Sequence, residues 1–377
     1  MELSYWEQDT FLGSLDIAII GSGIVGLSAA LRARELAPQA RIAVLERGVL
    51  PSGASTRNAG FACFGSMTEL MADLAYMTED QVFALVETRY RGLMRLRARI
   101  GDAALRYEPL GGYEVFRTAD AQSWERCCDH LAYFNREMRR VLGLEEVYQV
   151  ADDRIPETGM GGVAHLMLNT GEGQIHTGSM MAALIRQVQD AGISLYNGVV
   201  IDSLEEETHQ VRLHTDQGWE IACGQVLVAV NGFAQRLMPE LPVQPARNQV
   251  LVTDPIPGLR LRGAFHYDEG YVYFRNIGDR VLLGGARNLD LAGEMTDTFG
   301  FTEEIQAFLG QFLRETILPG HTPGIASRWS GIMGVGPEKS PILRRVSPHV
   351  TVAVRMGGMG VAIGSLVGDQ GAELMLG

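Results

Sequence analysis

Asp16-Ile17-Ala18-Ile19-Ile20 runs directly into Gly21-Ser22-Gly23-Ile24-Val25-Gly26, and a second apolar run, Ile42-Ala43-Val44-Leu45, ends in Glu46. An apolar strand, a Gly-x-Gly-x-x-Gly turn, a helix and an acid about 20 residues further on form the pattern that holds a dinucleotide. Gly21 permits the tight turn out of the strand, Gly23 lets the backbone approach a pyrophosphate, and Gly26 lets the helix lie close to the sheet. That helix, read over Ile24 to Ala37, points its free N–H groups and positive end at the phosphates. Glu46 stands where the adenosine ribose hydroxyls need an acceptor. A glycine turn can also serve strand–helix packing alone. Here the strand before it, the helix after it and the acid beyond it argue for the ligand.

The 377 residues are 46% hydrophobic, which suits about two domains with a large buried core. A formal charge of -13 disfavours attraction to nucleic acid or anionic lipid, which relies on clustered Lys and Arg, and leaves a small molecule as the expected partner. No apolar run approaches the roughly 18 residues of a membrane span, and Met1-Glu2-Leu3-Ser4-Tyr5-Trp6-Glu7 lacks the basic-then-apolar pattern of a secretory signal. The expectation is a cytoplasmic protein. Cys63, Cys127, Cys128 and Cys223 show neither a disulfide framework nor zinc-ligand spacing, and read as buried free thiols. His165, His176, His209, His266 and His321 are scattered, so none is assigned to a metal or to catalysis.

Beyond the opening unit, Pro51 to Phe61 is a loop of small residues whose backbone can lie against a ligand. From Thr78 to Ile100 the apolar spacing predicts an amphipathic helix, with Arg89, Arg91, Arg95, Arg97 and Arg99 on a solvated face. A strand over Gly112 to Arg117 and a helix over Ala121 to Leu142 follow. Gly173-Gln174-Ile175-His176-Thr177 introduces a helix from about Ser179 to Ala191, then strand-like text at Gly192 to Tyr196 and Val199 to Ile201. Gln225 to Val230 reads as a buried parallel strand that delivers Asn231 and Gly232 to its carboxyl end, where open α/β sheets bind ligands. Between Gln249 and Arg287 short strands alternate with turns, the pattern of an antiparallel sheet in a second domain. Val350 to Val354 then leads into Met356-Gly357-Gly358-Met359-Gly360-Val361-Ala362 and a last helix to Leu376, a second strand–glycine–helix junction.

In order and spacing these pieces resemble the D-amino acid oxidase superfamily of FAD-dependent oxidoreductases, above all its glycine oxidase, sarcosine oxidase and γ-glutamylputrescine oxidase branches. The carriers are Gly21 to Gly26 with Glu46, the Gly53 to Phe61 loop, Gly173 to Val200, Ala229-Val230-Asn231-Gly232, Trp329-Ser330-Gly331 through Pro341, and Gly357-Gly358-Met359-Gly360. The resemblance spans nearly the whole chain and implies an α/β fold. A discontinuous Rossmann-like FAD-binding domain (residues 1–75, 150–232 and 325–377) would carry a second, α+β substrate domain built on an antiparallel sheet (76–149 and 233–324). It places Glu46 and Arg47 at the adenosine ribose and Val200 on the adenine. Ala54 and Ser55 would meet the pyrophosphate and ribityl chain, with Arg57 and Asn58 in the same loop. Ala59, Gly60 and Phe61 would line the isoalloxazine, and Met356 to Ala362 would present a helix start to flavin N1 and the C2 carbonyl. Oriented N–H groups there stabilise the negative charge that two-electron reduction places near N1.

The reaction implied is transfer of hydride from the carbon next to nitrogen in an amine or amino acid to flavin N5, giving an imine that water hydrolyses; oxygen or another acceptor takes the electrons onward. Orienting an amino acid calls for a carboxylate clamp, ideally a bidentate Arg with a Tyr hydroxyl. Relatives place that Arg in a Trp-x-Gly-Leu-Arg-Pro context, but this chain has Trp329-Ser330-Gly331-Ile332-Met333-Gly334, and Met333 cannot bind a carboxylate. Either the substrate is an amine without a nearby carboxylate, or the clamp has moved. Arg287 is the first alternative site, Tyr271 would supply the accompanying hydroxyl, and Arg275, on the Tyr271 face of the same strand, is a second. For Arg287 a surface arginine, and for Tyr271 a plain core aromatic, are the competing readings. Cys63, just past the flavin loop, is either substrate-facing or an inert buried thiol. Some branches attach flavin through a Cys near Gly331; none stands here, so noncovalent FAD is expected. Three alternatives stay open: oxidation of a 2-hydroxy acid or polyol on the same fold, an NAD-dependent dehydrogenase, and flavin binding without turnover.

Overall fold

A computed structural model of the chain describes residues 3–377. Its first sheet is centred on Leu15–Ile20, which pairs in parallel with Ile42–Glu46 on one side and with Glu220–Val228 on the other. Ser194–Asn197 and Val350–Val354 extend the parallel sheet outward, and Ile342–Arg345 closes one edge antiparallel. Ile42–Glu46 and Val350–Val354 are buried at every position, which is why they read as nearly continuous apolar runs rather than as alternation. The helices Ile24–Leu36, Thr177–Asp190 and Gly360–Leu376 share one core with this sheet. The last helix lies close along the first: a Cβ on Gly368 would come within 2.4 Å of the Val25 carbonyl oxygen.

The second sheet has eight strands in the order Ile325–Val335, Gln244–Thr253, Arg280–Gly285, Val272–Ile277, Ala264–Tyr267, Gly112–Arg117, Val163–Asn169 and Tyr148–Val150. It is antiparallel apart from one parallel pairing, Ala264–Tyr267 with Gly112–Arg117. That joint is where two remote stretches of chain meet edge to edge, so no hairpin sets their direction. The sheet also takes two strands, Val163–Asn169 and Ile325–Val335, from stretches expected in the cofactor domain. Conversely the helix Glu79–Ile100, expected with the substrate domain, gives Leu93 and Leu96 to the core beneath the first sheet.

Most helix limits agree with the sequence reading. Thr78 closes a capping box with Gln81 at the start of Glu79–Ile100, and Ala121–Leu142 spans the expected residues. The helix read from Ser179 begins at Thr177 because the His176 ring accepts the Ser179 N–H at 3.1 Å and acts as its cap. The arginine run is a correction: Arg89 is buried, donating to the Phe64 carbonyl and pairing with Glu69 at 3.1 Å, while Arg99 pairs with Asp369 of the last helix at 2.7 Å. Those acids come from remote segments, so a single helix read alone could not reveal them. Cys128 is likewise exposed, not buried. Among the described residues no helix is long and apolar enough to cross a membrane.

Candidate active site

A cavity of about 490 Å³ runs from the carboxyl edge of the first sheet to the face of the second. Gly21, Gly23, Ile24, Val25, Glu46, Arg47, Ala54, Ser55, Arg57, Asn58, Ala59, Gly60, Phe61, Val200, Asn231 and Met356 through Ala362 all line it. Two expected cofactor contacts do not. A Cβ on Gly26 would fall 1.9 Å from the Gly21 carbonyl oxygen, and one on Gly232 would fall 2.4 Å from that of Met333, so both glycines serve close packing behind the wall.

At the first junction Glu46 is buried at its strand end. One oxygen accepts the Ser22 N–H at 3.2 Å and the Ser22 hydroxyl at 2.6 Å, and the other accepts the Gly48 N–H at 2.9 Å. A carboxylate offers about four lone-pair sites, so acceptor capacity remains for a sugar hydroxyl. Ser55 Oγ accepts the Ile24 N–H at 3.0 Å and ties the small-residue loop to the helix start. A Cβ on Gly23 would lie 2.9 Å from that same Oγ, so a larger residue would push the Ser55 hydroxyl away from the helix start. At the second junction Asn231, itself in the left-handed region at φ 47°, accepts the Met356 N–H at 3.1 Å. Gly357 and Gly358 carry φ of 58° and 85° before the helix Gly360–Leu376 begins. Two glycine-rich turns and a bent loop of small residues thus enclose one elongated slot, which fits a flavin adenine dinucleotide.

The other end of the cavity is lined by Cys63, Glu69, Asn248, His266, Glu269, Tyr271, Tyr273, Arg287, Met333 and Lys339. Ala286, at φ 60°, donates its N–H to the Tyr271 carbonyl at 2.7 Å and turns the next residue inward. The Arg287 guanidinium carbon lies 5.5 Å from the Tyr271 ring centroid, and Arg287 pairs with no carboxylate among the described residues. Met333 Sδ is approached by Asn248 Nδ2 at 3.5 Å. Burial, reinforced by Glu172 and Glu69, pushes the Cys63 thiol well above its usual range, which makes it a poor nucleophile.

Arg275 is a correction. It lies on the cavity face of Val272–Ile277 but beyond the end of the slot, where Nη2 donates to the Ile175 carbonyl at 2.9 Å and sits 2.8 Å from where a Gly60 Cβ would be. The Gly60 backbone stands between it and any ligand, and burial lowers its value to about 10. His266 is the opposite case. Left unassigned in the sequence, it lines the cavity and packs edge-on against Phe61 with centroids 5.0 Å apart. Burial holds its imidazole down at about 4, so the ring is neutral near pH 7. Its Nε2 is buried without a hydrogen-bond partner, 3.8 Å from Glu172, whose carboxyl burial raises to about 8. Tyr273 was legible by strand alternation from Tyr271. Glu69 and Lys339 carried no local signal.

The family model described as FAD dependent oxidoreductase, DAO, matches residues 16–374. The chain is 25% identical over 382 residues to the probable oxidoreductase OrdL of Rhizobium meliloti, covering 96% of this chain and 83% of that protein. It is 26% identical to the L-2-hydroxyglutarate dehydrogenase of Escherichia coli, over 61% of this chain and 50% of the other. The crystal structure of glycine oxidase from Geobacillus kaustophilus superposes with a TM-score of 0.75 at 21% identity, over 96% of this chain and 95% of that one. That last likeness is one of fold.

Proposed function

Because the chain belongs to the DAO family of FAD-dependent oxidoreductases, with noncovalent FAD as its cofactor, we propose that it oxidises the C–N bond of an amino acid or related amine. The observation that carries the reading is Arg287 beside Tyr271: an arginine without a carboxylate partner among the described residues, set against a phenol on the wall of the substrate half of the cavity. Bound FAD supplies a two-electron acceptor for hydride from the carbon next to nitrogen, and water hydrolyses the resulting imine.

The rest of the chemistry is orientation by the chain. Arg287 and Tyr271 take the carboxylate that Met333 cannot. The slot lined by Gly21 to Val25, Glu46, Ala54 to Phe61 and Met356 to Ala362 holds the cofactor, with Glu46 as acceptor for the ribose and the start of Gly360–Leu376 facing the charge that develops on reduction. Apolar walls at Phe61, Ile332 and Val250 exclude water from the reacting face. In this reading the first sheet and its helices are the cofactor domain and the second sheet is the substrate domain.

A 2-hydroxy acid would present the same carboxylate to the same clamp, and the likeness to L-2-hydroxyglutarate dehydrogenase supports this as a second reading. Anaerobic addition of amino acids, simple amines and 2-hydroxy acids to the yellow protein, followed by flavin bleaching, separates the two. Bleaching by amino acids or amines is the expected result; bleaching by hydroxy acids alone would replace C–N with C–O oxidation.

A further inference from the structure

Among the described residues Glu172 is the one carboxyl within 4 Å of a His266 ring nitrogen, its Oε2 lying 3.8 Å from Nε2. Glu172 is 2% exposed, and its other oxygen accepts the Phe64 N–H at 2.8 Å and the Gly65 N–H at 3.1 Å. A proton on this carboxyl therefore sits on Oε2, facing the ring. A Cβ on Gly112 would lie 2.0 Å from Oε2, so glycine there makes room for it. The second ring nitrogen, Nδ1, turns towards Gly270: it lies 4.0 Å from where a Gly270 Cβ would be, and Gly270 lines the cavity next to Tyr271 of the clamp.

The other ionisable groups around the ring are committed elsewhere or too far to exchange a proton with it. Glu69 pairs with Arg89 and Lys339. Glu114, the register neighbour of His266 on Gly112–Arg117, accepts the Thr68 hydroxyl and N–H, and burial raises its carboxyl to about 7. Burial also pushes up the Cys63 thiol and the phenol of Tyr273, the register partner on Val272–Ile277, so both stay neutral. Glu269 lines the cavity but reaches neither ring nitrogen within 4 Å. With Glu172 raised to about 8 and the imidazole held neutral, the pair exchanges one proton near pH 8. Below it Oε2 bears a proton and faces the Nε2 lone pair, which leaves the ring's own proton on Nδ1. Above it the carboxylate draws the ring proton to Nε2, and Nδ1 presents a lone pair to the cavity.

We propose that His266 Nδ1 takes a proton from the substrate's ammonium, with Glu172 as the positioning residue behind it. The proposal rests on the amine-oxidising reading and deepens it: an amine reaches the site near pH 7 as an ammonium, which has no lone pair to drive hydride from the neighbouring carbon. One N–H bond of the ammonium breaks and one forms at Nδ1, while the Nε2 proton passes to Glu172 Oε2. The substrate nitrogen loses its positive charge and the pair its negative one. Water takes the proton as product leaves. The 3.8 Å separation is about 0.8 Å longer than a usual N···O hydrogen bond, and contacts of this kind tighten once substrate is bound.

The FAD-loaded protein is mixed anaerobically with an amino acid that bleaches it, and the rate of bleaching is followed from about pH 7 to about pH 10. In wild type the rate should rise as pH passes 8. His266→Gln and Glu172→Gln should each lower it roughly 100-fold at about pH 7.5, and the double variant no further, because the two groups act as a unit. Near pH 10, where the amine arrives without its proton, all three variants should approach wild type; a merely structural loss would persist there. Nitrogen-15 spectra of the imidazoles in substrate-free protein give a second readout. One histidine should lose its Nδ1 proton as pH passes 8, and Glu172→Gln should abolish that transition. If His266→Gln does not fold, Glu172→Gln decides by both readouts. A wild-type rate in Glu172→Gln at about pH 7.5, a deficit unrelieved at about pH 10, or no exchange at Nδ1 would overturn the assignment. Bleaching by hydroxy acids alone, with the Nδ1 exchange intact, would instead remove the amine reading and the ammonium step with it.

Discussion

Replacing Arg287 by alanine tests the clamp. A hydrogen bond to a charged group contributes about 1.5–3 kcal/mol, and Arg287 is partly exposed, so one such bond is a fair weight for its hold on a carboxylate. Loss of that amount raises KM roughly 10- to 150-fold for a substrate with a carboxylate next to the reacting carbon. The contact with Tyr271 at 5.5 Å is lost too, but a cation over a half-buried ring gives only about 0.5–2 kcal/mol, in free and bound enzyme alike. It does not alter the comparison between substrates. The assay pairs an amino acid that bleaches the flavin with the amine lacking its carboxylate, in wild type and variant matched for FAD content. KM should rise for the amino acid and stay near its wild-type value for the amine. Arg287→Lys, which keeps the charge and loses the fork, should fall between. If the KM ratio of the two substrates is the same in Arg287→Ala as in wild type, Arg287 is not the clamp and the reasoning from its missing partner fails.

Glu46→Ala should weaken FAD retention by about 1–3 kcal/mol, roughly 5- to 150-fold in Kd, because the Ser22 and Gly48 N–H groups lose their acceptor along with the ribose; unchanged retention on dialysis would contradict its placement. Gly26→Ala drives a Cβ to within 1.9 Å of a backbone oxygen, so the first helix must shift, at a cost of about 1–3 kcal/mol or more. A wild-type Tm and full FAD content would refute that packing. Glu172 has a folded-state value near 8, above its ordinary 4.5, so the folded protein holds this proton more tightly than the unfolded chain. The stability it gives is complete below pH 4.5 and is lost as pH rises through 8. Glu172→Gln, which stays neutral, should therefore gain in Tm relative to wild type between pH 5 and pH 8.5, and a difference independent of pH would show the carboxyl to be ordinary.

The cofactor half was legible because its constraints are local. Gly21, Gly23 and Gly26 stand in one short stretch between an apolar strand and a helix, so their pattern is readable there even though Gly21 meets Ala229 and Gly23 meets Ser55, and the second junction repeats the device at Met356 to Ala362. The substrate half is assembled from side chains that meet only in the fold. His266, Glu69 and Lys339 come from a strand, a short helix and a loop, with no spacing in common. Arg275 was misplaced for the same reason: strand alternation gave its face correctly, but the Gly60 loop that screens it lies more than 200 residues earlier, a separation no local pattern spans. The strand Ile325–Val335 is a like case, since it finds its partner in Gln244–Thr253 and nothing in its own text says so.

The strand at Leu15–Ile20 is separated from the one at Val350–Val354 by only Glu220–Val228, and the helices that follow them lie against each other. A chain made from its amino end therefore emerges from the ribosome with half a cofactor floor, and more than 300 further residues must follow before the other half exists. Contacts so distant in sequence form slowly, and until they do the bare edges of a parallel sheet invite misassembly. Yield in a host cell should then depend on FAD supply late in synthesis, when the vitamin-derived ligand can capture the two halves as they first meet.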